Sequence, residues 1–299
     1  MSTAAKRKKP EEEHPPAAVT SPAEEKQVEV RVAISASVVY EAIFREGEDE
    51  LKRPSSALAW SGFAAGLTMG FSLVAEGLLA AHLPDSAWSP LIYKLGYRVG
   101  FLMVILGRPQ LYTENTLTVI LPLLLRKNAS TLASVARLWG VVLLSNPVGT
   151  FLFALCIGKI AVFNPHVQQT LIQVSQEGSG DAFWVALTRA VFAGWLIALM
   201  VWLLPGAESS RVGIIIIVTY LIGLGGFHHI IAGSNENFFL VVTGAGILGL
   251  LPPALFPAHI DRKCSWRSFS GGLPQPRAGG GRQRKHARGL ISPRRRTPA

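Results

Sequence analysis

The stretch LIGLGGFHHIIAGSNENFFLVV, residues 221–242, combines apolar ends with a polar centre. The centre holds two histidines, a Gly-Ser pair and an Asn-Glu-Asn triplet. The interior of a bilayer cannot satisfy backbone N–H and C=O groups that lose their helical partners. Polar residues and glycines at this depth therefore predict a membrane helix that is broken where it faces protein or water.

The whole chain has the composition of a polytopic membrane protein. Of its 299 residues, 49% are hydrophobic and 16% are charged, whereas a soluble domain has about 25% charged residues. Several apolar runs exceed the length of about 18 residues that is typical of a membrane span. The formal charge of +10 arises from the tail, because 11 Lys and Arg residues follow Asp261. We therefore expect the tail to contact anionic lipid and expect no nucleic-acid partner.

The sequence does not show the residue patterns of an enzyme or of a metal site. Its two cysteines, Cys156 and Cys264, have neither metal-ligand spacing nor the arrangement of a disulfide framework. It contains no nucleotide-binding loop and no nucleophile constellation. We expect no cofactor and no metal, and a protein that is not an enzyme.

Four segments are predicted along the chain. Residues 1–34 have a composition typical of a disordered cytoplasmic N-terminus. Residues 35–53 form an amphipathic helix, 54–250 a transmembrane transporter domain, and 251–299 an aberrant basic tail. Within the domain we expect apolar regions at about 57–83, 88–125, 133–160, 182–204 and from 212. The region 88–125 is too long for one span and is interrupted. A polar link is expected over 162–181. Lys and Arg in the loops place the N-terminus in the cytoplasm.

Two interruptions occupy matching places in the two halves of the domain. LGRPQLYTEN, residues 106–115, interrupts the second apolar region, and GGFHHIIAGSNEN, residues 225–237, interrupts the fifth. Broken helices at corresponding positions are the signature of inverted-repeat transporters, in which helix ends meet a solute at the midplane. The alternative is a pair of glycine-rich kinks that allow close helix packing. The pattern favours an all-α membrane protein with an inverted repeat and a solute path.

Several motifs resemble the formate/nitrite transporter family, most closely its YfdC-like branch. They are YEAIFREGEDELKRPSSALAWSGFAAGLTMGFSLVAEGLL before and within the first span, LYTEN in the first interruption, SNPVG in the third span and GFHHIIAG in the second interruption. The resemblance covers about Ser35 to Gly249. It implies an aquaporin-like fold, a homopentamer in the bacterial inner (cytoplasmic) membrane, and passage of small monovalent anions such as formate or nitrite.

The resemblance also implies which residues line the path. His229 matches the pore histidine, Thr113 the loop threonine near it, and Leu111 and Tyr112 a constriction, with Phe227 placed as in the family. Asn115 in LYTEN and Asn146 in SNPVG belong to the matching motifs. From the residues themselves, Arg108 beside the first interruption is the best candidate for a charge that attracts anions, and His228 is expected to be a packing or vestibule residue. A weak-acid anion crosses an apolar constriction most easily as its neutral acid, and an imidazole can hydrogen-bond to it or donate a proton.

The chain departs from the family at two places. Gly233 stands where the family has Asn after Ala, and the residues after Phe256 do not read as the family's sixth span with its Gly-Asn-x-x-Gly-Gly motif. Asp261–Arg267 can be encoded by codons that give Ile-Gly-Asn-Val-Ala-Gly when they are read one nucleotide later. The sixth span is therefore expected to be missing or altered, and a frameshift is one hypothesis for the tail. Two further alternatives stay open: an aquaporin-like pore for neutral solutes, and a truncated membrane protein that does not transport.

Overall fold

The computed structural model describes residues 21–22, 34–178 and 181–246, and every regular element within those ranges is helical. The described chain forms α1 (Ala36–Lys52), α2 (Ser55–His82), α3 (Ser89–Tyr93), α4 (Arg98–Gly107), α5 (Asn115–Thr118), α6 (Ile120–Arg126), α7 (Ala129–Lys159), α8 (Pro165–Glu177), α9 (Phe183–Leu203), α10 (Arg211–Leu224) and α11 (Ile230–Thr243). The tail 251–299, the expected sixth span and nearly all of 1–34 lie outside the described residues.

The first helix, α1, lies within the segment for which the sequence predicts an amphipathic helix. The Ser35 hydroxyl accepts the Val38 N–H at 3.4 Å and caps its start. Val39 and Ile43 are buried on one face, while the Glu41–Arg45 ion pair is exposed on the other. Burial of one apolar stripe therefore holds α1 against the spans.

Four stretches are long and apolar enough to cross a membrane, judged by length and composition: 55–82, 89–107, 129–159 and 183–206. Trp60, Trp184, Trp195 and Leu144 on these stretches are each about two-thirds exposed or more in the single protomer. Outward-facing apolar side chains on long apolar helices are what lipid or a neighbouring protomer requires. The prediction of an all-helical membrane protein is confirmed.

Among the described helices, α2 and α7 pack against each other most extensively. Glycines lie where the two backbones meet: a Cβ on Gly66 would overlap the backbone of Asn146, and a Cβ on Gly149 would overlap that of Phe63. Small residues at such a crossing let two membrane helices approach closely. This contact fixes α7 beside the first half of the solute path expected from the sequence.

Two interrupted helices follow the unbroken ones, as predicted. The first break, residues 108–114, separates α4 from α5, and the second break, residues 225–229, separates α10 from α11. Each contains a left-handed residue that turns the chain, Arg108 at φ 57° and Gly226 at φ 60°. The breaks are shorter than the polar motifs suggested, because the Asn-Glu-Asn triplet lies within α11. An unbroken helix precedes a broken one in both halves, which is the arrangement of the inverted repeat.

The link between α7 and α9 differs from the polar connection predicted over 162–181. Residues 165–177 form α8, whose start is capped by the Asn164 side chain accepting the Val167 N–H at 3.0 Å. Val167, Leu171 and Val174 recur at helical spacing and pack into an apolar cluster with Leu73 of α2. The sequence interpretation missed this helix because only one narrow stripe of it is apolar.

Candidate functional site

The two breaks meet at a hydrogen bond between Thr113 and His229. Thr113 Oγ1 and His229 Nε2 are 2.8 Å apart, although the residues are 116 positions apart in the chain. His229 is 3% exposed, and the edge of its ring packs against Phe101 with the centroids 4.8 Å apart. The structure therefore brings together the two residues that the resemblance singles out.

The hydrogen bonds of His229 indicate which ring nitrogen carries the proton. His229 caps α11, because its Nδ1 accepts the Ala232 backbone N–H at 3.2 Å. A neutral imidazole that accepts at Nδ1 has its proton on Nε2. Nε2–H then donates to Thr113 Oγ1, and the Thr113 hydroxyl proton is left to bond to another acceptor.

The first break is held in place by Asn146, which is fully buried in α7. Its Oδ1 accepts the Tyr112 backbone N–H at 2.9 Å, and its Nδ2 donates to the carbonyls of Gly62 at 2.7 Å and Gln110 at 2.9 Å. One side chain thus satisfies backbone groups that the break frees from helical bonding. Asn146 supports the loop beside Thr113.

Gln110 connects that loop to other parts of the protein. Its backbone N–H donates to Ser61 Oγ at 3.0 Å, and its side chain donates to Glu50 Oε2 at 2.8 Å. Its Oε1 accepts Asn115 Nδ2 at 2.7 Å, and Asn115 O accepts the Trp139 indole N–H at 3.2 Å. Asn115 therefore positions the loop from within the protein. The sequence interpretation gave Gln110 no role, although a polar Gln after Pro109 inside an apolar region could have indicated a residue that supports the break.

Apolar side chains surround the Thr113–His229 pair. Leu111 is 1% exposed and belongs to the cluster that contains Phe101 and Ile231. Tyr112 and Phe227 are partly buried and pack against the same cluster. The structure therefore places the two predicted constriction residues, Leu111 and Tyr112, together with Phe227 at the apolar cluster that contacts His229 through Phe101.

Two cavities approach the breaks from different ends of the fold. The α1-side cavity, of about 680 Å³, is lined by Leu111, and the α8-side cavity, of about 420 Å³, by Phe227 and His229. The α1-side cavity lies near Ser61, which bonds to Gln110 in its wall. The α8-side cavity lies near Glu76, which pairs with Lys94 in its wall. Fifteen helical residues separate the two positions on α2, a rise of about 22 Å. The Thr113–His229 pair therefore lies between two openings.

Arg108 lies in the α1-side cavity and is exposed, so it is placed at the mouth and not beside His229. Arg53 and Arg211 line the same cavity. Acidic residues outnumber these three cations there: Glu46, Asp49, Glu50, Glu114 and Glu208. Burial raises the pKa of Glu50, which favours its neutral form, and Arg53 opposes that shift.

Ion pairs organise the wall of the α8-side cavity. Lys94 pairs with Glu76 of α2, and its Nζ lies 3.1 Å from Glu177 Oε2 at the end of α8. Tyr93 also donates to Glu177, at 2.8 Å. Glu177 is a site residue that the sequence interpretation missed, because α8 was not recognised as a helix.

His228 lines the same cavity and bonds to Asp181. Its Nε2 lies 2.7 Å from Asp181 Oδ2, and Arg189 Nη1 lies 2.6 Å from the same oxygen. The hydrogen bond from His228, followed by the field of Arg189, holds the pKa of Asp181 below its usual value. His228 therefore links the second break to the segment before α9, and Asp181 is a site residue that the sequence interpretation missed.

Comparisons with known proteins agree with this architecture. The chain is 39% identical over 222 residues to the inner membrane protein YfdC of Escherichia coli (strain K12), covering 73% of this chain and 72% of that protein. It is 24% identical over 211 residues to the formate channel BtFdhC of Bacillus thuringiensis, covering 68% and 78%. A solved structure, a pentameric formate channel with formate bound, superposes with a TM-score of 0.55 at 19% identity, covering 64% of this chain and 82% of that one.

The sequence model of the formate/nitrite transporter family matches residues 37–266. The match therefore continues past Gly249, where the resemblance in the motifs ends, into the start of the basic tail. It covers both breaks, Asn146 and the Thr113–His229 pair. The chain belongs to the formate/nitrite transporter family.

Proposed function

We propose that this protein is a transmembrane pore for small monovalent anions of the formate and nitrite class, and not an enzyme. It acts as a homopentamer in the bacterial cytoplasmic membrane, with the N-terminus and the α1-side cavity in the cytoplasm. Membership of a transporter family, the likeness to an inner membrane protein and the pentameric formate channel with a similar fold support these assignments. Arg126, Lys127 and Arg137 lie towards the same end of the fold as α1, as the positive-inside rule requires for a cytoplasmic end.

The observation that carries the proposal is the Thr113–His229 pair, which lies among apolar side chains between two cavities. The Nε2–H of His229 donates to Thr113 Oγ1, so the Thr113 hydroxyl can donate its own proton to an anionic oxygen. His229 also stands at the N-terminus of α11, whose 14 residues present a partial positive charge there. That charge favours an anion at the pair and disfavours a charged imidazole.

Proton linkage follows from the apolar surroundings of the pair. A carboxylate that leaves the pair has to pass the apolar side chains of Leu111, Phe101 and Phe227, which offer its charge no hydrogen bond. The solute crosses this region more easily as its neutral acid. Transport is therefore expected to carry a proton with each anion.

A neutral-solute pore is the second candidate, and the charge of the α1-side cavity favours it. Five acidic residues and three cations line that cavity, which opposes the accumulation of a free anion. A hydroxyl or carbonyl group on a neutral solute would still bond to Thr113 and His229. The two candidates differ in the solutes that they pass.

Flux into proteoliposomes decides between the candidates. We expect uptake of formate or nitrite by the parent, and a loss of about 10- to 150-fold in Thr113→Val, because one hydrogen bond to a charged group contributes about 1.5–3 kcal/mol. Thr113→Ser keeps the hydroxyl and should keep most of the flux. Thr68→Val is the matched control, since the Thr68 hydroxyl donates to Ala64 of its own helix at 2.8 Å.

Three other results of the flux measurements would change the proposal. Passage of glycerol or water without formate would replace the anion pore with the neutral-solute pore. A folded pentamer that passes none of these solutes would support the reading of a membrane protein that does not transport. Equal loss of flux and of folded protein in Thr113→Val, with normal flux per folded protein, would reduce Thr113 to a structural residue.

A further inference from the structure

The proposed function needs a proton for each anion, and the geometry at His229 does not supply one readily. Nδ1 of His229 accepts the Ala232 N–H at 3.2 Å, and Nε2 is 2.8 Å from Thr113 Oγ1. Binding a second proton would break the cap at Nδ1 and would place a cation at the positive end of α11. The proton is therefore expected to come from another group in the same cavity.

Glu236 has the right position for this role. His229, Gly233 and Glu236 all line the α8-side cavity. Their spacing of four and then three residues places them on one face of α11. Glu236 lies two turns beyond His229, a rise of about 10 Å along the helix. The carboxyl group therefore lies on the cavity side of the Thr113–His229 pair.

Gly233 leaves open space between the two side chains. A Cβ added at Gly233 would have no other heavy atom within 4 Å. The same position borders the α8-side cavity. A gap of this kind, with polar groups at both ends, has room and partners for ordered water. Water can therefore connect Glu236 with the pair.

The charges around Glu236 leave it without an ion-pair partner among the residues that the structure describes. Lys94 is engaged by Glu76 and Glu177, and Arg189 is engaged by Asp181. The titratable and charged groups that face Glu236 come from α2, α3, the α3–α4 connection, α8, α9 and the second break: Glu76, Tyr93, Lys94, Tyr97, Glu177, Arg189, His228 and His229. Within the described chain, α7 contributes no side chain to this cavity.

Three carboxylates, Glu76, Glu177 and Glu236, therefore share the field of one ammonium group, that of Lys94. Like charges at close range resist ionising together, so a proton taken up by this group relieves repulsion. Glu236 is the one of the three that lies on the face shared with His229. It can therefore exchange a proton with both the cavity water and the solute.

We propose that Glu236 loads the proton that accompanies each anion, and passes it through water beside Gly233 to a solute held at Thr113 and His229. The O–H bond of the Glu236 carboxyl group breaks, and an O–H bond forms on the anionic oxygen of the solute. The solute leaves the pair as a neutral acid. The Glu236 carboxylate then takes a new proton from a hydronium ion in the α8-side cavity, which leaves water. Glu236 acts on the solute through water and is a positioning residue for the proton.

The test is the pH dependence of formate uptake by the full-length protein in proteoliposomes, with protein-free liposomes subtracted for passive entry of formic acid. The parent should take up formate faster as the external pH falls from about 7.5 to about 5.5. Glu236→Gln should match the parent at the higher pH and lose about tenfold at the lower pH, because it retains the shape but not the proton.

Two further variants separate the proton role from a structural one. Gly233→Leu should flatten the pH profile in the same way, because the side chain fills the water path. Glu177→Gln is the matched control, a carboxylate of the same cavity on another face. Its uptake should still rise as the pH falls, with the rise displaced to lower pH because one negative charge near Glu236 is removed. Thermal melting of each purified variant reports whether it folds.

The outcomes distinguish this inference from the proposed function on which it rests. Absence of formate uptake in the parent would remove the proposed function itself. Formate uptake with the parent's pH slope in both folded variants, Glu236→Gln and Gly233→Leu, would overturn the inference alone. Flattening in Glu177→Gln to the same extent would show that the cavity charge as a whole, and not Glu236, sets the slope.

Discussion

Replacing Asn146 with Ala is expected to destabilise the first break more than any neighbouring substitution in α7. The change leaves the Tyr112 N–H and the Gln110 carbonyl without the partners that they have at 2.9 Å. Both groups belong to the break, so no helical bond replaces the lost one. Each unsatisfied buried group costs about 1–3 kcal/mol. We expect a loss of about 3 kcal/mol, equivalent to about a hundredfold change in an equilibrium constant.

The assay for Asn146→Ala is thermal unfolding of the purified oligomer, followed by formate flux per folded protein. A loss of this size lowers the Tm by about 10 °C for a domain of 150–250 residues. Flux should fall further than the folded fraction, because the loop that carries Thr113 loses its support. Ser145→Ala is the matched control, since the Ser145 hydroxyl bonds to Val141 of its own helix at 2.8 Å. A Tm within about 2 °C of the parent, together with normal flux, would refute the role given to Asn146.

Three other predictions concern the second break, the loop before α9 and the tail. His229→Ala should abolish proton-linked uptake or convert the pore to leaky anion passage, and formate flux measured against pH checks this. Stronger effects from His228→Ala would mean that the wrong histidine was chosen. The pKa of Asp181 is lowered in the folded protein, so the contacts of its carboxylate stabilise the folded state at neutral pH. This stabilisation is lost as the pH falls below the usual value of 3.8. Asp181→Asn should remove that acid-dependent part of the Tm profile, and an unchanged profile would contradict the assignment. A gene whose reading frame encodes Gly-Asn-x-x-Gly-Gly after Phe256 should give more oligomer and more flux than the sequence as it stands, and equal yield and flux would reject the frameshift hypothesis.

The sequence was sufficient to predict the features that depend on local composition. Apolar length predicts the spans, and glycine with polar residues in an apolar run predicts the two breaks. The meeting of Thr113 with His229 followed from the symmetry of the halves and from the family resemblance. These inferences need no knowledge of how distant side chains pack.

Features that depend on long-range contacts could not be predicted in the same way. Nothing local shows that Asn146 reaches Gly62, 84 residues earlier in the chain, or that Gln110 reaches Glu50. The helix α8 is a different case, because Asn164 before Pro165 is a helix-start signal that was present in the sequence. Recognising α8 would also have placed Glu177 near the cavity.

The claim that the Thr113–His229 pair lies on the solute path is tested most directly by a cysteine at Thr113. In a background with both native cysteines, Cys156 and Cys264, changed to Ser, Thr113→Cys should react with a small water-soluble thiol reagent. We expect the reaction to block formate flux and saturating formate to slow the labelling, while the control Thr68→Cys shows neither effect. Labelling of Thr113→Cys that leaves flux unchanged and is indifferent to formate would show that the solute does not pass this pair.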